Sequence, residues 1–105
     1  MTNPAFAGPR PERCESTFEM QHCAADDLRR ADARMSARYA ALRARLSAAA
    51  GKRLLAEQRA WLARRDRECL TKGDRYRGGS LSSVVVAQCW AEVTQARSRV
   101  LAKRK

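Results

Sequence analysis

The sequence predicts an all-α fold, a three-helix antiparallel bundle with an N-terminal arm that is stapled by two disulfides. Apolar residues recur three and four positions apart along three stretches, which is the spacing of amphipathic helices. Proline and glycine interrupt that spacing near the N-terminus and around residues 71–80. Four cysteines in 105 residues form an even set of thiols, and a chain this short gains much from cross-links because its core is small.

The arm comprises residues 1–13, whose three prolines and one glycine favour an extended or disordered segment. The Ala5-Phe6-Ala7 run before Gly8 resembles the end of a signal-peptide cleavage site, although Met1–Ala7 contains no hydrophobic stretch. We interpret the arm as a candidate remnant of a signal peptide, and residues 14–105 as a single helical domain.

The first helix is predicted to begin near Thr17. Ser16 and Glu19, three residues apart, have the pattern of a capping box, in which each side chain bonds to the other residue's backbone. The apolar spacing continues to about Ala50, and Gly51 suits the C-terminus of the helix.

The second helix extends from about Leu54 to Cys69 and is followed by a glycine-rich loop, residues 71–80. Ser80 is a plausible N-cap for the third helix. The Val84-Val85-Val86 run could also be a strand, but the helical spacing of the following residues favours a helix. The expected core contains the large apolar residues of these stretches: Leu28, Met35, Tyr39, Leu42, Leu46, Leu54, Leu55, Trp61, Leu62, Leu81, Val84, Val85, Val86, Trp90, Val93, Val100 and Leu101.

The net charge is +11, carried by 18 arginines and four lysines. Residues 24–105 hold 20 basic and 8 acidic side chains, so the charge belongs to the folded body. Such a field attracts anionic partners, including nucleic acid, anionic lipid, acidic glycans and acidic protein clefts. No apolar run reaches the length of about 20 residues that a membrane-spanning helix needs.

The cysteine spacings, C-x8-C and C-x19-C, favour disulfides. They contain no C-x-x-C pair, and His22 is the only histidine in the sequence, so a zinc site is a weak alternative. Free thiols are the remaining alternative. If residues 17–23 are helical, Cys14 and Cys23 are about 13 Å apart at 1.5 Å per residue, too far for a bridge. We therefore predict the pairs Cys14–Cys69 and Cys23–Cys89.

Five segments of this chain carry recognisable motifs: C-x-S-T-x-E-M-x-x-C-A at Cys14–Ala24, A-D-x-x-M-x-x-x-Y-x-x-L at Ala31–Leu42, Q-R-A-W-L-x-x-R-D-x-x-C at Gln58–Cys69, G-G-S at Gly78–Ser80 and C-x4-T-x2-R-x3-L at Cys89–Leu101. In this order they resemble the LprI-type lysozyme-inhibitor family of small exported bacterial domains. The resemblance implies a helical, disulfide-bonded, periplasmic or secreted protein. It also implies binding and inhibition of a lysozyme or another peptidoglycan hydrolase.

We do not expect an enzyme, and we expect no cofactor or metal. His22 lies beside Cys23 and is poorly placed as a general base, and no activated nucleophile is suggested by the spacing. Asp32, Asp66 and Arg97 lie within the family-like segments. We interpret these three as structural ion pairs that fix the register of the helices.

The partner-binding residues are predicted in the loop that follows the second helix. Tyrosine and arginine dominate binding hot spots, and an arginine can pair with the catalytic carboxylates of a hydrolase cleft. The five candidates are Lys72, Asp74, Arg75, Tyr76 and Arg77.

The positive charge bears on the choice of partner. A basic inhibitor is repelled at long range by a basic lysozyme, so an acidic muramidase or a cell-wall-cleaving toxin suits this chain better. The alternative function is a module that binds an envelope polyanion such as lipopolysaccharide or a wall polymer. Nucleic-acid binding is not expected, because a cytosolic nucleic-acid-binding protein would not need paired cysteines. The sequence also contains no recognisable nucleic-acid-binding motif.

Overall fold

The computed structural model describes residues 9–104, and these residues form helices without any strand. The elements are α1 (Thr17–Ala44), α2 (Ala48–Gly73), a 3-10 helix (Asp74–Tyr76) and α3 (Leu81–Lys103). The predicted three-helix fold with two disulfides is confirmed. The candidate cleavage segment at Ala5–Ala7 and the rest of residues 1–8 lie outside the described residues.

Helix α1 begins as predicted, with Ser16 as its N-cap. The Ser16 hydroxyl accepts a hydrogen bond from the Glu19 amide at 3.1 Å, and the Glu19 carboxylate accepts one from the Ser16 amide at 2.9 Å. This capping box satisfies two backbone groups that the first turn of a helix leaves without intrahelical partners. The same hydrogen bonds lower the pKa of Glu19 below its ordinary value.

The predicted boundary between the first two helices is wrong by several residues. Helix α1 ends at Ala44, and α2 begins at Ala48 after Ser47, whose hydroxyl accepts from the Ala50 amide at 3.1 Å. Gly51 therefore lies inside α2. A Cβ at Gly51 would overlap the Arg43 guanidinium, so the glycine allows the Arg43 side chain to pack across the start of α2.

The three helices run up, down and up. Gln21 near the start of α1 donates to Ser83 near the start of α3, and Arg45 just after α1 donates to the Arg104 carbonyl just after α3. Helices α1 and α3 are therefore parallel, with α2 antiparallel to both. The bundle is elongated, measuring 47 × 28 × 22 Å.

The core has two parts. The larger cluster contains Met35, Leu42, Leu54, Trp61 and Leu101, and the smaller one contains Cys69, Val86 and Cys89. The Val84-Val85-Val86 run is helical, and Val84 is fully buried. Three residues of the predicted core are instead exposed at the helix surfaces: Leu55, Leu81 and Val100.

The predicted disulfide pairing is wrong. The bridges are Cys14–Cys23, with Cα atoms 6.1 Å apart, and Cys69–Cys89, with Cα atoms 5.5 Å apart. The predicted pairing assumes that Cys14 lies on a continuation of the α1 axis, which would hold it too far from Cys23 for a bridge. In the structure the chain is extended at Ser16 and the arm folds back along α1.

Arg10 holds the arm in this position. Its guanidinium donates to the Cys23 carbonyl at 3.0 Å and to the carboxylates of Asp26 and Asp27 at 3.2 and 2.7 Å. Burial alone would raise the pKa of Asp26, but the hydrogen bond from Arg10 and the charges of nearby arginines outweigh it and lower that pKa. Within residues 9–104, no helix is long and apolar enough to cross a membrane.

Candidate partner-binding site

The predicted partner-binding residues lie at one end of the bundle, where α2 passes into α3. We call Lys72–Arg77 the α2–α3 turn. It is helical where a loop was predicted, because Lys72 belongs to the last turn of α2 and Asp74–Tyr76 forms the 3-10 helix. The chain then reverses at Gly78, whose φ of 86° is a conformation that favours glycine.

The structure divides the five predicted residues into two groups. Lys72, Arg75 and Tyr76 line one cavity of about 480 Å³ together with Thr71 and Val85. This cavity combines two cations, one phenol and an apolar wall. Such a combination suits a partner that presents carboxylates beside an apolar group.

Asp74 and Arg77 pair with each other instead. The Arg77 guanidinium lies 3.2 Å from the Asp74 carboxylate, and both side chains are exposed. Within residues 9–104, no carboxylate lies within ion-pair distance of Lys72 or Arg75. Arg75 is therefore the arginine of the α2–α3 turn that is available to a partner without first breaking an ion pair.

The α2–α3 turn is fixed to both helices. The Cys69–Cys89 bridge joins them one turn below it, and the Ser82 hydroxyl donates to the Gly73 carbonyl at 3.0 Å. A Cβ at Gly73 would lie 2.5 Å from a Val86 methyl group, so glycine at this position permits the close approach of α3. A turn that is held in this way loses little conformational entropy on binding.

The predicted ion-pair residues form two separate networks in the middle of the bundle. Asp32 and Asp66 both face Arg65, at 3.7 and 3.0 Å. Arg97 is buried and donates to Glu57 at 2.6 Å and to Gln58 at 2.9 Å. The structure thus brings Asp32 and Asp66 together, while Arg97 belongs to a second network.

Two arginines of these networks, Arg65 and Arg97, lie over tryptophan rings. Arg65 lies over the rings of Trp61 and Trp90, 5.6 and 5.7 Å from their centroids, and it donates to the buried Thr94 hydroxyl. Arg97 lies over Trp61 at 5.7 Å. The buried ring of Trp61 is therefore in contact with two guanidinium groups, an arrangement that favours cation–π attraction.

Arg65, Glu57 and Gln58 also belong to these networks, but they are not among the residues predicted from the sequence to form ion pairs. Their signal was present in the spacing, because Gln58, Trp61 and Arg65 are three and four residues apart and share one face of α2. These side chains link α2 to α1 and α3. That the two networks fix the register of the helices stays a prediction.

Glu57 is the partly exposed titratable group of the Arg97 network. The hydrogen bond from Arg97 is the main reason that its pKa lies below the ordinary value of 4.5; burial opposes the effect, and Arg104 adds to it. A carboxylate with a lowered pKa stabilises the fold above its ordinary pKa, and that stabilisation is lost as the pH falls through the lowered value.

Glu57→Gln is expected to flatten the loss of stability below pH 4.5. The Glu57 side chain is 43% exposed, and solvent screening therefore limits its contribution to less than about 1 kcal/mol. Urea unfolding across this pH range measures it. Glu68→Gln is the control, since Glu68 is an exposed carboxylate of α2 without an ion-pair partner in residues 9–104. Equal pH profiles for the two variants would contradict the assignment.

Across residues 9–104, no group of three or more His, Cys, Asp or Glu side chains could hold a metal ion. All four cysteines are in disulfides. The described part of the molecule is thus a small, disulfide-bonded helical domain with an open cationic cavity at one end.

Comparison with known proteins identifies the family of this domain. The family model described as "Lysozyme inhibitor LprI" matches residues 10–101, and the chain belongs to this family. The chain is also 33% identical, over 116 aligned positions, to a protein of Rhizobium meliloti (strain 1021) described as uncharacterized protein R02472. That alignment covers 95% of this chain and 84% of the relative. No solved structure matches the chain significantly.

Proposed function

We propose that this chain is an exported, non-catalytic inhibitor that binds a lysozyme or another peptidoglycan hydrolase. Membership of the lysozyme-inhibitor family supports the activity. Two disulfides support an oxidising compartment, periplasmic or secreted. The observation that carries the proposal is the cavity at the α2–α3 turn, where Lys72, Arg75 and Tyr76 meet.

In this proposal the α2–α3 turn enters the substrate cleft of the hydrolase. Arg75 pairs with a catalytic carboxylate through its planar guanidinium, which can donate two parallel hydrogen bonds. Tyr76, which is 37% exposed, adds contact area beside the ion pair. The net charge of +11 favours an acidic hydrolase, because attraction at long range speeds association.

The experiment is turbidimetric lysis of peptidoglycan by a panel of basic and acidic muramidases, with and without the oxidised protein. Inhibition is expected for at least one acidic enzyme. The absence of inhibition of every enzyme at stoichiometric excess would count against the proposal.

Arg75→Ala is expected to raise the inhibition constant at least about tenfold, as for a binding hot spot. Arg77→Ala removes the same charge from the same turn, but Arg77 already pairs with Asp74, and we expect less than about a threefold change. Circular dichroism and thiol titration verify that both variants are folded and oxidised. Equal losses in the two variants would show that overall charge, and not the cavity, determines binding.

A further inference from the structure

A second cavity lies between α1 and α3, in the C-terminal half of each helix. It has a volume of about 220 Å³ and is lined by three arginines, which we call the arginine groove: Arg34, Arg38 and Arg99. Arg99 is 18 residues beyond Leu81, the first residue of α3, which places it about 27 Å along the helix at 1.5 Å per residue. The arginine groove is therefore separate from the α2–α3 turn.

The three guanidinium groups have no internal counter-charge. Within residues 9–104, no carboxylate lies within ion-pair distance of Arg34, Arg38 or Arg99, whereas the nearby Arg30 pairs with Asp26 at 3.1 Å. Arg34 and Arg38 are four residues apart on α1 and repel each other. A bound anion would relieve this repulsion.

Ser98 provides a second, independent observation. It lines the same cavity and is only 8% exposed, and its hydroxyl has no hydrogen-bond partner among residues 9–104. The hydroxyl oxygen itself is not sealed from solvent, so it can donate a hydrogen bond to an oxygen acceptor bound among the three arginines.

We propose that the arginine groove binds a phosphate monoester. This group is close to a dianion at neutral pH and carries three strong acceptor oxygens, which match three guanidinium groups and one hydroxyl donor better than the single charge and two oxygens of a carboxylate. Guanidinium also pairs with phosphate through two parallel hydrogen bonds. The buried Ala31 forms part of the wall and leaves room for the ligand.

The proposal is tested by calorimetric titration of the oxidised protein with glucose 1-phosphate at constant ionic strength, with glucose as the uncharged control. Saturable binding of the phosphate ester is expected, and no binding of glucose. Arg38→Ala is expected to weaken binding at least about tenfold. Arg38→Lys is expected to recover only part of the affinity, because lysine keeps the charge but lacks the planar fork.

Arg59→Ala is the matched control, since Arg59 is an exposed arginine of α2 and its removal changes the net charge equally. No change in affinity is expected for this variant. An equal loss in Arg38→Ala and Arg59→Ala would overturn the site in favour of a general charge effect. The absence of saturable binding of glucose 1-phosphate would also overturn it.

A second titration distinguishes a soluble ester from a lipid headgroup. Phosphatidylcholine vesicles with and without phosphatidic acid present the same phosphate monoester at a membrane surface. Competition between glucose 1-phosphate and the phosphatidic acid vesicles would show that both sources occupy the arginine groove. Failure of the vesicles to compete would assign the groove to soluble esters. Binding to the vesicles alone would overturn the proposal, because a charged surface would then suffice.

Discussion

Replacement of both Cys69 and Cys89 by alanine is expected to lower the free energy of unfolding by about 3 to 4 kcal/mol. The bridge spans 20 residues, and loss of a cross-link of this span releases about 3 kcal/mol of chain entropy in the unfolded state. Both sulfur atoms are buried in the smaller core cluster, so the alanines also leave a cavity. Guanidinium chloride unfolding of the oxidised proteins measures the difference.

Cys14→Ala with Cys23→Ala is the control for this prediction. Its shorter span alone reduces the entropic effect by only about 0.7 kcal/mol. Cys14 is exposed in the arm, so its replacement adds no core cavity at that end of the bridge. We expect a loss of about 2 to 2.5 kcal/mol. Equal losses for the two double variants would contradict the larger structural role of Cys69–Cys89.

Arg97→Ala is expected to lower the free energy of unfolding by about 3 kcal/mol. Arg97 is buried and donates to Gln58 and Glu57, so its removal leaves the buried Gln58 oxygen without its donor. It also removes the stacking on Trp61 and the packing of a long side chain. Glu57 is partly exposed, so water can hydrate its carboxylate once Arg97 is removed. The loss of unfolding free energy therefore stays at the lower end of the range for a broken buried ion pair.

Arg104→Ala is the matched control for Arg97→Ala. Arg104 contacts the same Glu57 carboxylate at 2.7 Å but is 38% exposed, and surface pairs of this kind contribute less than about 1 kcal/mol. Thermal and urea unfolding compare the two variants. A similar small loss in both would show that the interior network is only weakly stabilising.

The helices could be predicted from the sequence because their determinants are local. Ser16 and Glu19 are three residues apart, and the apolar spacing repeats within each helix. The position of the first turn is less well determined, since Ala48, Ala49 and Ala50 are helix formers that suit the end of one helix as well as the start of the next. Ser47, as the N-cap of α2, decides between these two possibilities.

The disulfide pairing and the interior networks depend on contacts between distant residues. Where the arm folds back, Cys14 is bonded to Cys23, and Arg10 binds Asp26 and Asp27, which lie 16 and 17 residues further along the chain. Nothing in the local spacing specifies that reversal of the arm. For the candidate partner-binding site, the sequence predicts the residues of the α2–α3 turn, but only the structure separates Arg75 from the Arg77–Asp74 pair.

The pairing of the cysteines divides the molecule covalently into two parts. Cys14–Cys23 lies wholly within the arm and α1, and Cys69–Cys89 lies wholly within the hairpin of α2 and α3. The only covalent connection between these parts is the backbone through residues 45–47. A cut there would yield two peptides, each with its own disulfide, that associate by non-covalent contacts alone. For the same reason, two copies could exchange α1 as oxidised proteins, without reduction of any disulfide.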